Sequence, residues 1–227
     1  MAMDTEKAPH KVMNYVWENV RLHQLKPGDR IPVERVLAEK LEISRNSVRE
    51  GLKTLENIGI IESRQGSGNY LSASFEPMMT ELLSYMYFLK GINVTELTEF
   101  RWAIEKEALP LAITRIQPEE KEDLKNALSR LKQAENEEEQ IHWDQTLHRI
   151  IVRACRNDFL IINYEALTAL MDTYIKSMRS SIIQGMHDNQ MLEKAHERLA
   201  LGVICGDLDQ AMKGLSDHFG YIEQYRP

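Results

Sequence analysis

At 227 residues, with 43% hydrophobic and 28% charged side chains, the chain suits one large domain or two small ones of ordinary globular composition. No apolar run approaches the roughly 18–20 residues of a membrane span, and no signal peptide opens the chain, so a cytoplasmic protein is the expectation. The formal charge of −7 is uneven: residues 1–72 hold 11 Lys and Arg against 10 Asp and Glu, and residues 73–227 hold 17 against 25. Acidity therefore belongs to the second part and does not exclude an anionic partner for the first.

The first helix is expected over about 10–22, with Val12, Val16 and Val20 on one face. Lys26-Pro27-Gly28-Asp29 reads as a turn. A short second helix starts near Pro32, a good first-turn residue, and runs through Leu37 and Leu41. The third starts at Ser44, a suitable N-cap, and ends at Gly59. Residues 60–64 and 69–71 predict two strands, joined as a hairpin by Gln65-Gly66-Ser67-Gly68. A polar linker follows at about 72–77, dividing the chain into residues 1–74 and 75–227.

Every later segment reads as helix: about 78–90, 93–115, 118–135, 138–155, 158–184, 189–204 and 207–225. Pro110 predicts a kink in the second of these. Residues 135–139 form an acidic run expected in a solvated loop or helix end. Cys155 and Cys205 are too few and too scattered for a disulfide framework, and both fall in apolar patterns that predict buried thiols. The expected fold is mainly α: three helices and a hairpin wing, then an all-α bundle of about seven helices.

In the third helix Val48, Leu52, Leu55 and Ile58 share one face, which can pack on the first two helices. Arg45, Asn46, Arg49 and Lys53 lie on other faces, with both arginines near the N-terminal end. A recognition helix has this layout: its N-terminal end enters the major groove, where Arg can bridge guanine O6 and N7. The Gly66-Ser67-Gly68 tip lets a backbone approach a groove. Scattered charge alone would suit a solvated helix equally well. The order of elements, the capping at both ends and the glycine-rich hairpin decide for a winged helix-turn-helix.

The run "PGDRIPVERVLAEKLEISRNSVREGLKTLENIGIIESRQGSGNYL" resembles the DNA-binding domain of the GntR superfamily of bacterial transcription regulators. The resemblance implies that Arg35, Arg45 and Arg49 contact DNA and that Gly66 sits at the wing tip. It implies a homodimer reading a short palindromic operator in double-stranded DNA. Val33 departs from the family, which often has Ser there, and Val cannot cap a helix through its side chain.

The later helices place polar residues on stripes that should be buried. Arg101 interrupts Val94, Leu97, Ile104, Ala108 and Leu111. Asp144 and His148 fall on the stripe of Ile141, Ile151 and Cys155, and they are neighbours at i, i+4. His196 joins Leu192, Leu199 and Val203; His218 joins Leu208, Ala211, Leu215 and Ile222. His196 lies ten residues before Gly206 and His218 eleven after Asp207, so in an antiparallel hairpin both stand about 15 Å from the turn. Two helical pairs can thus deliver Asp144, His148, His196 and His218 to one point, a donor set suited to a divalent transition metal, zinc first, with nickel, manganese and iron also accommodated. A single inward histidine is more often a satisfied core residue; four convergent groups are harder to explain that way. His142 falls on another face of its helix, His187 precedes the sixth helix, and His10 and His23 belong to the first part.

"EFRWAIEKEA", "DQTLHRIIVRACRN", "KAHERL" and "ICGDLDQAMKGLSDH" resemble the FCD effector domain of the FadR subfamily over about residues 78–220. Seven helices favour the FadR-type branch over the shorter VanR-type. The resemblance implies a metal on Asp144, His148, His196 and His218 that helps bind a small carboxylate effector, with Arg101 near the pocket. Arg101 equally suits a structural ion pair with Glu105 at i+4, and Asn157 suits a helix start. Two alternatives stay open: the same regulator without metal, holding a bulkier acyl ligand, and a metalloenzyme, for which no inward carboxylate is placed as general base.

Overall fold

The computed structural model describes residues 7–174 and 190–224. They divide into two compact units between Met78 and Met79.

In the first unit, α1 (Ala8–Arg21) and α3 (Arg45–Asn57) pack together, with α2 (Glu34–Leu41) laid on α3. Their shared core is Val12, Val16, Leu37, Val48, Leu52 and Leu55, closed by Ile31, Ile61 and Leu71. Gly51 lets α1 come close: a Cβ there would stand 2.7 Å from Pro9 O and from Val12 Cβ. Pro32 does not open α2; the helix starts two residues later, with Val33 at its N-cap making no side-chain cap. Glu42, at φ 54°, turns the chain from α2 toward α3. Ser44 caps α3 by accepting from Ser47 N at 3.1 Å. Ile58 does not join the buried face; it is the C-cap and is exposed, followed by Gly59 at φ 72°. Strands β1 (Ile61–Arg64) and β2 (Gly68–Leu71) pair antiparallel, Ile61 opposite Leu71, and Arg30 adds one bridge to Tyr70.

The second unit is helical: α4 (Glu76–Lys90), α5 (Val94–Arg115), α6 (Pro118–Gln133), α7 (Glu137–Ala154), α8 (Asp158–Tyr174), α9 (Gln190–Cys205) and α10 (Leu208–Gln224). The expected linker is shorter than the sequence implied, because α4 begins at Glu76. Asn93 and Glu96 form a reciprocal capping box on α5, which continues through Pro110 to Arg115. The acidic run is a helix start: Asn136 caps α7, and Glu137, Glu138 and Glu139 occupy its first turn, where the helix dipole favours negative charge. Asn157 Oδ1 accepts from Phe159 N and Leu160 N at the start of α8. The stretch expected to be helical over 175–184, and His187, lie outside the described residues.

The core of this unit gathers Leu109, Leu124, Leu147, Val152, Leu167, Leu199, Val203 and Leu215. Cys155 is buried, but Cys205 is exposed, contrary to the sequence reading. It ends α9, where the apolar periodicity still runs but no helix among the described residues covers it. Leu208, at the start of α10, is exposed for the same reason.

Candidate metal centre and nucleic-acid interface

Helices α9 and α10 form a close antiparallel hairpin. Gly206, at φ 77°, makes the turn, and Asp207 Oδ1 caps α10 by accepting from Gln210 N at 2.9 Å. Two glycines let the backbones touch. A Cβ on Gly202 would press on Ala211, and one on Gly214 would meet Leu199 N and stand 2.8 Å from Ala195 O. This contact brings His196 level with His218, their ring centroids 4.7 Å apart. Helix α7 lies across α5 and supplies Asp144 and His148 one turn apart; the His148 ring is 4.5 Å from His218 and 5.6 Å from His196.

The four side chains therefore meet. One ligand-type atom from each lies within 4.8 Å of all the others, and the three imidazoles are buried. Asp144 Oδ1 is 2.8 Å from His196 Nε2, 3.4 Å from His218 Nε2 and 3.9 Å from His148 Nε2. The approach to His196 is short but is not aligned as a hydrogen bond. His148 Nε2, His196 Nε2 and His218 Nδ1 are buried without a hydrogen-bond partner. Orphaned imidazole nitrogens are costly in a dry interior, and a divalent ion would satisfy those of His148 and His196, whose Nε2 atoms face Asp144. The donor set fits a divalent transition metal.

The His218 imidazole is held neutral and the Asp144 carboxyl ionised, the states that ligate. Burial pushes the His218 imidazole down, as does repulsion from His148, to about 3 against a partial pull from Asp144. Burial opposes ionisation of Asp144, yet His196 and His218 outweigh it and hold its carboxyl well below the usual range. His142, on another face of α7, is exposed and stacks edge-on against Trp143, 4.9 Å between centroids.

Arg101 is buried and pairs with Glu105, Nε to Oε1 at 2.6 Å, which is the structural ion pair that its spacing allowed. Its Nη2 remains buried without a partner. The sequence did not reveal the second contact of Glu105: Oε2 lies 2.5 Å from His148 Nδ1. Burial raises the Glu105 carboxyl, but His148 and Arg101 prevail and push it down to about 2. Tyr164 was also missed. It is fully buried, and burial followed by the charge of Glu105 pushes its phenol up. The only sequence signal for Tyr164 is its place on the inward stripe with Leu167 and Met171.

On the first unit, Arg35, Arg45, Asn46, Arg49 and Lys53 are all exposed on α2 and α3. Arg35 pairs with Glu39 at 3.0 Å, and Arg49 with Glu34 at 3.1 and 2.9 Å. The wing carries Gly66 at its tip, at φ 72° with open space around it. Behind the tip the Arg64 guanidinium sits 4.2 Å from the Tyr70 ring centroid, and the Tyr70 and Ser67 hydroxyls are 2.6 Å apart. Arg64 is a further wing cation, legible from its place beside Gln65-Gly66.

A family model described as "Bacterial regulatory proteins, gntR family" matches residues 10–71, and one described as "FCD domain" matches residues 96–221. The chain belongs to the GntR family and carries an FCD domain. This pairing is consistent with the FadR subfamily. The GntR chain is 28% identical over 203 residues to the HTH-type transcriptional regulator LutR of Bacillus subtilis, covering 88% of this chain and 92% of that protein. It is 25% identical over 206 residues to the Glc operon transcriptional activator of Escherichia coli, covering 88% and 81%. It is 24% identical over 222 residues to the putative L-lactate dehydrogenase operon regulatory protein of E. coli, covering 94% and 86%. The solved structure of a Streptococcus agalactiae GntR protein shares the fold, with a TM-score of 0.68, 19% identity and 96% and 99% of the two chains covered. The family and these relatives are transcription regulators, so this chain is a DNA-binding transcription regulator and not an enzyme. Among the described residues no helix is long and apolar enough to cross a membrane.

Proposed function

We propose that this GntR regulator is a homodimer acting in the cytoplasm, where its DNA lies, and that a small organic acid bound with a divalent metal sets its affinity for a short palindromic operator. The observation that carries the reading is the meeting of Asp144, His148, His196 and His218 with unpartnered imidazole nitrogens, beside an Arg101 whose Nη2 is buried and unpartnered. When bound, the metal supplies a Lewis-acidic position for a carboxylate oxygen. Arg101 Nη2 offers the charge-assisted hydrogen bond that a second oxygen needs. Arg35, Arg45, Asn46, Arg49 and Lys53, with the backbone at Gly66, form the DNA-contacting surface. A dimer supplies two recognition helices for two half-sites. The outward residues Leu82, Tyr85, Met86, Phe88 and Leu89 of α4 form an exposed apolar row suited to a second copy.

One relative is named for an L-lactate dehydrogenase operon, which makes lactate the first acid to try. The deciding experiment is metal analysis of the purified protein, followed by thermal-shift screening of lactate, sugar acids, dicarboxylates and amino acids with and without zinc. A carboxylate that raises the melting temperature only when metal is present supports the reading. A shift that is equal in chelator rejects the metal's part in it, and a shift by acyl ligands alone favours the metal-free alternative.

A further inference from the structure

Glu105 is a buried carboxylate whose two oxygens serve different partners. Oε1 accepts from Arg101 Nε at 2.6 Å, and Oε2 lies 2.5 Å from His148 Nδ1. The Glu105 and His148 side chains are 3% and 0% exposed. A counter-ion whose sole task was to neutralise Arg101 would take the guanidinium with both oxygens, the favoured fork geometry. Here one oxygen is turned away to an imidazole, and Arg101 Nη2 is left buried and unpartnered. The carboxylate is placed for His148 at the expense of Arg101.

The other side of the His148 ring shows what this placement achieves. An ionised carboxylate only accepts, so His148 Nδ1 must carry the proton. In the neutral ring Nε2 then bears a lone pair. That atom faces Asp144 Oδ1 at 3.9 Å and has no hydrogen-bond partner. A lone pair aimed toward a carboxylate is unfavourable unless a cation stands between them. The geometry points to Glu105 as the positioning residue of His148: it fixes the Nδ1–H tautomer, locks the ring, presents Nε2 to the metal and raises that nitrogen's basicity. This rests on the metal reading of Asp144, His148, His196 and His218 and adds a fifth side chain to it, from a different helix and outside the donor set. Since α5 carries both Arg101 and Glu105, the acid-binding arginine and the metal-bound histidine share one carboxylate.

The test uses the full-length protein stripped of metal and titrated with zinc against a chromophoric chelator. Glu105→Gln keeps the shape and an accepting oxygen but removes the charge. Its zinc affinity is expected to fall about 10- to 100-fold, the usual effect of losing a carboxylate behind a ligating histidine. Its far-UV circular dichroism without metal should match the wild type. The second measurement needs no substitution at Glu105. Imidazole 15N spectra of the zinc-loaded wild type, with His148 assigned by its loss in His148→Ala, are expected to show Nδ1 protonated and Nε2 bound to zinc. A folded Glu105→Gln protein that binds zinc within twofold of wild type overturns the inference. So does zinc on Nδ1 of His148, which decides the matter if Glu105→Gln fails to fold. Wild-type protein that binds no divalent metal overturns the metal reading beneath it, a result distinct from either.

Discussion

Glu34 on α2 holds Arg49 on α3 through both carboxylate oxygens, Arg49 Nε to Oε1 at 3.1 Å and Nη2 to Oε2 at 2.9 Å. Two of the five guanidinium N–H groups are thereby used, and the Nη1 side is left for a base edge. In the proposed DNA interface Glu34 orients the arginine that the recognition helix would offer to the major groove. Arg49→Ala is expected to reduce operator affinity on the order of ten- to a hundredfold per half-site if the guanidinium reads a guanine, with less effect on non-specific DNA. Glu34→Gln should retain binding to any duplex while losing preference at that base. Fluorescence anisotropy with selected and scrambled duplexes over a salt series checks both, because phosphate contacts weaken steeply with salt. An Arg49→Ala protein with wild-type preference, or salt-independent binding, removes Arg49 from the interface.

The same pair predicts an acid dependence. The hydrogen bond from Arg49 pulls the Glu34 carboxyl below its ordinary value of 4.5, against a smaller opposing effect of burial. A carboxylate depressed in the folded state contributes stability that is present above the unfolded value and lost as pH falls through the folded one. Wild-type protein should therefore exceed Glu34→Gln in stability at neutral pH, modestly because the pair is exposed, and the difference should shrink as pH falls from 4.5 through the lowered folded value. Urea titrations at several pH values measure it. A gap that widens on acidification contradicts the sign.

Arg101 distinguishes acid recognition from scaffolding. Lys presents a point charge with no planar fork, so Arg101→Lys can still neutralise Glu105 but cannot hold a carboxylate on a second amino nitrogen in the same geometry. The expected outcome is a weakened effector response with smaller losses in melting temperature and in DNA affinity. A variant that responds normally but melts far earlier would make the Glu105 ion pair the whole of its role.

Periodicity made the convergence of His196 and His218 legible, because a hairpin with a short turn sets equidistant residues level. It made Asp144 and His148 legible as an i, i+4 pair on an inward stripe. The same periodicity misplaced Cys205, Ile58 and Leu208, all at or beside helix ends: a stripe tells which way a residue faces, not whether another element reaches far enough to cover it. Two pairings between separate helices left no trace. Glu105 and His148 are 43 residues apart, and Glu34 and Arg49 are 15 apart, so neither pairing could be read from spacing on a single helix.

The hairpin that levels the histidines depends on Gly214, whose absent side chain admits the Ala195 to Leu199 turn. Gly214→Ala gains about 1 kcal/mol of helix propensity but overpacks backbone against backbone, typically 1–3 kcal/mol and occasionally more. Net destabilisation is expected, with weaker metal binding as His196 and His218 move apart. Gly220 on the same helix has nothing within 4 Å of an added Cβ, so Gly220→Ala should stabilise by about 0.5–1 kcal/mol. Denaturant unfolding of the two variants compares them directly. Equal shifts in the same direction would mean that the close approach at Gly214 is not needed.

A metal held by Asp144, His148, His196 and His218 should stabilise the fold, because the unfolded chain gathers those groups far less well. The gain is RT ln(1 + [M]/Kd), about 2.7 kcal/mol at a hundred times Kd. Chelation is expected to lower the melting temperature, and restored zinc to raise it again. His148→Ala and His218→Ala should each remove most of the response. His142→Ala should leave it intact, because that ring is exposed on another face of α7 and belongs to no cluster with the other three. This comparison separates a built site from the general affinity of histidines for metals. A response that survives in both His148→Ala and His218→Ala, or that disappears in His142→Ala alone, would place the metal elsewhere on the chain.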